Sequence, residues 1–145
     1  MTDHSGRDGP TLQSPRPAYS AARAMRQWRA AAWLALAGVA ALSLMPVAVP
    51  PALDELNADK LVHVGMYATL MLCFSYGYAR RHWAMIASGL SFYGVLIEFL
   101  QGQTGYRSPS WLDALANLTG VSIMLWLRAR QDNRRRVARA ARGFE

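Results

Sequence analysis

The sequence predicts an all-α protein: an integral membrane four-helix bundle with a disordered N-terminal tail and a basic C-terminal tail. Two observations support this prediction. The chain has 145 residues, of which 52% are hydrophobic and 17% are charged, and the charges are concentrated near the two ends of the chain, whereas a water-soluble fold needs them over its whole surface. The middle of the chain also contains four long apolar runs, which excludes general disorder.

The first apolar run follows a tail that we expect to be disordered. Residues 1–25 are assigned to this cytoplasmic tail, because the first twenty are rich in Gly, Pro and Ser and lack helical periodicity. The run at about 30–49 carries no charge and has the length of roughly 20 residues that a helix needs to cross a bilayer. Pro46 lies near its end, where a helix can stop at little cost.

Three further runs have the length and composition of membrane spans. They lie at about 61–79, 83–101 and 111–128, and they are separated by charged residues, proline or glycine. With the first run they define one domain at 26–128, followed by a basic cytoplasmic tail at 129–145. In the fourth run the small residues Ala116 and Gly120 are spaced to let that helix pack closely against a neighbour.

The basic residues predict the orientation. Of the 16 Lys and Arg residues, all except Lys60 and Arg107 lie before residue 30, in the turn at Arg80 and Arg81, or from residue 128 onward. The positive-inside rule therefore places both termini in the cytoplasm, in a multi-pass arrangement. The basic tails would contact anionic lipid headgroups. No nucleic-acid partner is predicted, because these tails lack the aromatic residues that stack on bases.

Polar side chains recur near the outer ends of spans two to four. Lys60, His63 and Tyr67 share one helix face, as do Asp113 and Asn117. A charged group near the membrane centre costs about 2.5–3.5 kcal/mol, so these groups are expected to turn inward and pair. The sequence thus predicts one outward-facing polar site. Its candidate ligand-binding residues are Asp59, Lys60, His63, Tyr67, Glu98, Gln101, Arg107, Asp113 and Asn117.

Several of these residues also have simpler explanations. Asp59 fits a helix cap, Ser110 with Asp113 fits a capping box, and Lys60 fits an interfacial anchor. Glu98 is different, because an acid within a span needs a partner from another helix. The sequence leaves open whether this site is a structural polar lock between helices or a place where a ligand binds.

The polar residues also form an ordered motif. It reads Asp59-Lys60-x-x-His63-x-x-x-Tyr67, then Glu98-x-x-Gln101, then Arg107 with Asp113-x-x-x-Asn117-x-x-Gly120. In this the chain resembles the VanZ-like family of small bacterial membrane proteins, named after a teicoplanin-resistance protein, over roughly residues 30–128. The resemblance implies the bacterial cytoplasmic (inner) membrane and a role in the cell envelope, with glycopeptide tolerance as one context.

Two functions fit these residues best, and a small carrier or proton-coupled transporter fits them least, because the inner halves of the spans contain few polar residues. The first is a non-enzymatic envelope protein that binds a lipid headgroup or an envelope precursor. The alternative is an intramembrane enzyme acting on a lipid-linked phosphate or glycan, with the catalytic candidates His63, Glu98 and Asp113. No cofactor is predicted and no metal site is assigned, since a HExxH-type spacing is absent. The oligomeric state is left open, and a homo-oligomer is compatible with the sequence.

Overall fold

The structure is a computed structural model that describes residues 17–46, 58–105 and 110–142. These residues form four α-helices, with a short 3-10 helix, Arg80–His82, between the second and the third. The prediction of an all-α fold is therefore confirmed. The four helices are α1 (Pro17–Leu44), α2 (Ala58–Gly77), α3 (Trp83–Gly102) and α4 (Trp111–Arg142).

Two helices are longer than predicted. α1 begins at Pro17, so the prediction of a disordered tail is wrong for residues 17–25, while residues 1–16 lie outside the described part of the chain. Proline suits the first position of a helix, and the Ala, Arg and Met residues that follow are good helix formers. α4 does not end near 128 but continues to Arg142, because residues 129–142 contain neither glycine nor proline.

The first helix is shorter at its other end. The sequence predicts a span to residue 49, but α1 ends at Leu44, two residues before Pro46. The residue before a proline is disfavoured in the helical conformation, which accounts for the end at this place. Residues 47–57, which include Asp54 and Glu55, lie outside the described residues.

The central helix is α2, which packs most extensively against α4 and α1. Gly120 of α4 makes close packing possible: a Cβ atom there would collide with the carbonyl oxygen of Val64 and lie 3.0 Å from the backbone nitrogen of Ala68. The predicted close approach of α4 to a neighbouring helix at Gly120 is confirmed. Only hydrogen fits at this position, so α2 and α4 approach each other backbone to backbone.

Side-chain hydrogen bonds fasten α1 to the other helices at its middle and near its end. At its middle, Arg29 Nε donates to the carbonyl oxygen of Gly77 at 2.7 Å. Near its end, the buried Gln101 Nε2 donates to the carbonyl oxygen of Ser43, also at 2.7 Å. Both bonds use main-chain acceptors, so they fix the position of the α1 backbone.

Judged by length and composition alone, one described segment, Arg80–Gly102, is long and apolar enough to cross a membrane. The other predicted spans do not meet the same criteria within the described residues. α2 and α4 carry the polar residues of the predicted site, and α1 and α4 carry arginines. Membrane insertion of the whole bundle is therefore a proposal, whereas the helical fold is a finding.

Candidate functional site

A buried polar cluster lies at the end of the bundle where α2 and α4 begin and α3 ends. Its members are His63, Glu98, Asp113 and Asn117, which come from three helices and are exposed by 4%, 6%, 5% and 1%. The sequence placed all four residues in one polar site, and the structure brings them together. Such residues are rarely buried unless they bind one another, an ion or a ligand.

The helical spacing explains how α2 contributes to this cluster. Lys60, His63 and Tyr67 lie on one face of the helix; His63 and Tyr67 are buried, and Lys60 is half-buried nearer the helix start. On α4, Asp113, Asn117 and Gly120 share the buried face in the same way. The close approach at Gly120 therefore brings two polar helix faces opposite each other.

His63 is the centre of the polar cluster. Its Nδ1 atom lies 2.9 Å from Oδ1 of Asn117, and because an amide oxygen accepts, Nδ1 donates. The same Nδ1 lies 3.8 Å from Oε1 of Glu98, and Nε2 lies 3.9 Å from Oδ2 of Asp113. Distances of this size exceed those of a hydrogen bond. The imidazole ring therefore lies between two carboxylates without a direct bond to either.

Asp59 and Lys60 form the mouth of the site, next to the polar cluster. Lys60 Nζ lies 3.3 Å from Oδ2 of Asp59 and 3.9 Å from Oδ1 of Asp113. Burial raises the pKa of Asp59, but the backbone N–H of Lys60, 2.8 Å from Oδ1, and the lysine ammonium more than offset this, so the pKa lies below its usual value. Asp59 is thus an anion that holds the Lys60 side chain over the polar cluster.

Acidic groups exceed basic groups in the described part of the site. Three carboxylates, those of Asp59, Glu98 and Asp113, lie near one ammonium group and one imidazole. Arg107, the other predicted cation, lies outside the described residues. Since like charges repel strongly where water is excluded, this arrangement disfavours a bare anion next to the carboxylates.

Three buried polar atoms of the site lack a hydrogen bond within the described part of the chain. They are the Tyr67 hydroxyl, Oδ1 of Asp113 and Nδ2 of Asn117. A buried polar group without a hydrogen bond costs about 1–3 kcal/mol. Because native proteins leave few such groups, several in one place indicate a site that takes up water, an ion or a ligand.

Gln101 was predicted to bind a ligand in the polar site, but its side chain bonds to α1 instead. It is buried, but its amide nitrogen donates to the Ser43 carbonyl of α1. Within the described residues, Gln101 has no hydrogen bond to a member of the polar cluster. Its contacts give it a structural role, in which it holds the end of α1 beside the site.

Arg128 is a buried residue that the sequence analysis missed, because we counted it among the basic residues at the cytoplasmic end. Its Nε donates to Ser75 Oγ at 2.8 Å, and its guanidinium carbon lies 4.0 Å from the centre of the Tyr76 ring. The aromatic residues near the end of α2, opposite an arginine at the end of an apolar run, were the available signal. Arg128 lies at the opposite end of the bundle from the polar cluster, so its role is structural.

The site also contains a set of potential metal ligands. His63, Glu98 and Asp113 each offer one ligand atom, and these three atoms lie within 4.8 Å of one another. The sequence predicted no metal site, because it has no HExxH-type spacing of ligands along one helix. Here each ligand comes from a different helix, so only the packing of the bundle reveals the set.

The chain matches no family model, no curated protein and no solved structure in the comparisons with known proteins. The resemblance to the VanZ-like family therefore stays a prediction that depends on the motif residues. Functional arguments must come from the geometry of the site.

Proposed function

We propose that this chain is a VanZ-like integral membrane protein of the bacterial cell envelope that binds a lipid headgroup or an envelope precursor. The observation that supports the proposal best is the polar cluster of His63, Glu98, Asp113 and Asn117, buried at one end of a bundle in which every helix exposes large apolar side chains. Polar groups at membrane depth are expensive, and they commonly mark the place where a protein binds its ligand.

Exposed apolar side chains support the membrane placement. A water-soluble protein rarely exposes many large apolar side chains close together, because they would promote aggregation. Lipid chains instead cover such a surface without cost. Large apolar residues that are more than half exposed occur on every helix, and they include Leu34, Val62, Phe92, Phe99 and Trp126.

The distribution of arginines supports the orientation. The polar cluster lies at one end of the bundle, and Arg80, Arg81 and the arginines of α4 lie at the other end. By the positive-inside rule, the arginine end faces the cytoplasm and the polar cluster faces outward. In the bacterial inner membrane, the outward side is where envelope precursors are displayed.

Cysteine labelling tests membrane placement and orientation. In a Cys73→Ser background, Trp111→Cys places a thiol at the polar-cluster end and Val137→Cys places one at the arginine end; both native side chains are exposed. In intact cells, a membrane-impermeant maleimide should label position 111 and not position 137. Labelling of position 137 alone would contradict the proposed orientation. Recovery of the protein in the soluble fraction would contradict the membrane placement.

The polar cluster and its mouth offer the groups that a headgroup needs. Asn117 Nδ2 and the Tyr67 hydroxyl are buried donors without a hydrogen bond to other described residues, and Lys60 is a cation at the mouth. The carboxylates can accept hydrogen bonds from sugar hydroxyls. A site with both donors and acceptors suits the hydroxyl groups of a headgroup, and Lys60 is the described cation that a headgroup phosphate would meet.

Lipid analysis of the purified protein tests the headgroup proposal. Wild-type protein is compared with Glu98→Gln, in which an acceptor of the polar cluster loses its charge, and with Ser88→Ala, an exposed position on the same helix. We expect wild type and Ser88→Ala to retain the same headgroup species and Glu98→Gln to retain about tenfold less, which corresponds to about 1.4 kcal/mol. Equal lipid content in all three proteins would contradict the proposal.

The position of His63 favours an intramembrane enzyme as the second candidate. Asn117 holds the ring through Nδ1, which leaves Nε2 as a proton acceptor beside Asp113. A histidine oriented in this way can act as a general base on a lipid-linked phosphate or glycan. Turnover of such a lipid that is lost in His63→Gln would support this alternative. Absence of turnover by folded wild-type protein, with and without divalent metal, would contradict it.

A further inference from the structure

The geometry of the polar cluster leaves a space between three potential ligands. One ligand atom each from His63, Glu98 and Asp113 lie within 4.8 Å of one another. The His63 ring approaches Glu98 through Nδ1, at 3.8 Å, and Asp113 through Nε2, at 3.9 Å. Two ligands bound to one tetrahedral zinc ion, each about 2.0–2.2 Å from it, lie roughly 3.3–3.6 Å apart. The 3.9 Å from His63 Nε2 to Asp113 Oδ2 is too long for a hydrogen bond and a few tenths of an ångström above this range, so the ligands would draw together slightly around an ion.

We propose that His63, Glu98 and Asp113 bind a divalent first-row transition-metal ion, of the class of Zn²⁺ or Mn²⁺. One imidazole nitrogen with two carboxylate oxygens is a mixed donor set. The nitrogen favours a transition metal over Mg²⁺ or Ca²⁺, and the carboxylates accommodate both zinc and manganese. The three residues come from α2, α3 and α4, so the ion would also join three helices.

Asn117 is placed as an outer residue of such a site. A metal-binding histidine commonly donates its second ring N–H to an oxygen atom, which fixes the tautomer and the direction of the ring. Asn117 Oδ1 accepts from Nδ1 of His63 at 2.9 Å, so Nε2 keeps its lone pair on the side of Asp113. This hydrogen bond therefore fixes the tautomer and the orientation of the His63 ring, both of which a metal site requires.

Buried polar atoms provide an independent indication of a bound group. Asp113 Oδ1, Tyr67 Oη and Asn117 Nδ2 are buried and have no hydrogen bond within the described residues. An ion at Asp113 would use a carboxylate oxygen, and water bound to the ion would donate to the Tyr67 hydroxyl, while the Asn117 amide N–H could donate to a ligand oxygen or a further water. A structural polar lock would instead be expected to bond these atoms to one another.

A divalent cation also suits the charge of the described part of the site, where the carboxylates of Glu98 and Asp113 lie next to one imidazole. A bound dication would add positive charge beside these carboxylates and attract the phosphate of a headgroup. This last step rests on the proposed function, whereas the binding of the metal itself does not.

Metal analysis of the wild-type protein is the first test. Protein purified in detergent without chelators is expected to contain about one Zn²⁺ or Mn²⁺ per chain by mass spectrometry of the elements. After removal of metal with EDTA, addition of Zn²⁺ or Mn²⁺ should raise the unfolding temperature, and Mg²⁺ or Ca²⁺ at the same concentration should not. Folded wild-type protein that binds neither transition metal would overturn the proposal.

Variants assign the ion to the site. His63→Gln, Glu98→Gln and Asp113→Asn are each expected to weaken metal binding more than tenfold, and Asn117→Ala to weaken it by about 10–100-fold because it removes the support of the ring. Asp132→Asn is the matched control, since Asp132 is a carboxylate on α4 at the opposite end of the bundle. Unchanged binding in all three ligand variants would overturn the assignment.

Lipid and metal are measured in the same samples so that two failures can be distinguished. If wild type binds the metal but retains no headgroup lipid, the metal site stands and the proposed function fails. If wild type retains a headgroup species equally before and after EDTA and never binds Zn²⁺ or Mn²⁺, the metal site fails and the proposed function stands. Loss of the lipid on EDTA treatment and its return with metal would support both.

Discussion

His63 Nδ1 donates to Asn117 Oδ1 across 2.9 Å, which joins two buried side chains that lie 54 residues apart in the chain. The bond links the start of α2 to the first part of α4, within the polar cluster. It satisfies one nitrogen of the ring and leaves the other beside Asp113. The orientation of the imidazole, and with it any binding or chemistry at His63, therefore depends on Asn117.

Replacement of Asn117 by leucine should destabilise the protein. Asn117→Leu retains a side chain of similar size but leaves His63 Nδ1 buried without an acceptor, at a cost of about 1–3 kcal/mol in the free energy of unfolding. Thermal unfolding in detergent provides the measurement. Thr119→Val, an exposed position on the same helix, is the control and should change stability little. Equal stability of both variants would show that the hydrogen bond does not fix the ring.

A methyl group at Gly120 should disrupt the bundle. Gly120→Ala would place a Cβ atom against the Val64 carbonyl oxygen and close to the backbone of Ala68, neither of which can move without separating α2 from α4. We expect a loss of about 2 kcal/mol or more in stability. Gly65→Ala is the matched control, because a Cβ atom there meets nothing within 4 Å and alanine is about 1 kcal/mol more favourable in a helix.

The two glycine variants should therefore change the unfolding temperature in opposite directions. A Gly120→Ala variant that unfolds at the wild-type temperature would contradict the close packing of α2 against α4. It would also remove the basis for the polar cluster, since Asn117 lies one helical turn before Gly120 on the same buried face.

The sequence predicted the parts of the fold that depend on local pattern. Apolar runs of the right length located the four helices, and polar residues at corresponding ends of three runs predicted that His63, Glu98, Asp113 and Asn117 would meet. The reason is general: a helix has a fixed rise and period, so residues at equal distances along neighbouring helices lie at the same depth. The composition of the polar cluster could be predicted in this way.

The features that depend on three-dimensional packing could not be predicted. Gln101 donates to the Ser43 carbonyl, and the sequence carries no signal for a main-chain acceptor in another helix. Tail composition did not reveal that α1 starts at Pro17. The distances around the ring of His63 depend on how three helices pack, so a metal-binding geometry could be recognised only in the structure.

Replacement of Arg128 by lysine should lower the stability of the folded protein. Arg128→Lys keeps the charge but loses the Nε donation to Ser75 and the stacking of a planar guanidinium between Tyr76 and Trp83. We expect a loss of about 1–3 kcal/mol in unfolding free energy. The control is Arg134→Lys, at an exposed position of the same helix. If both variants unfold with wild-type stability, the Nε donation and the ring contacts of Arg128 do not stabilise the fold.

Asp132 should make stability depend on pH at the arginine end of the bundle. Its carboxylate accepts from Arg136 Nε at 2.7 Å and from Arg80 Nη1 at 2.9 Å. These two arginines, Arg136 first, hold the pKa of Asp132 below its ordinary value of 3.8. A lowered pKa in the folded state means that folding favours the ionised form. The resulting stabilisation is therefore fully present above pH 3.8 and is lost as the pH falls through the folded-state pKa.

Asp132→Asn isolates this contribution from that of other carboxylates. At pH 7 the variant should be less stable than wild type by about 0.5–1 kcal/mol, the size expected of a partly exposed ion pair. The difference should shrink as the pH falls below 3.8, because wild-type Asp132 then becomes neutral too. Unfolding curves of both proteins across pH 2.5–7 provide the measurement, with Arg134→Gln as a variant whose offset should not change with pH. A constant difference between Asp132→Asn and wild type over this range would show that the carboxylate is not what ties α4 to the turn at Arg80.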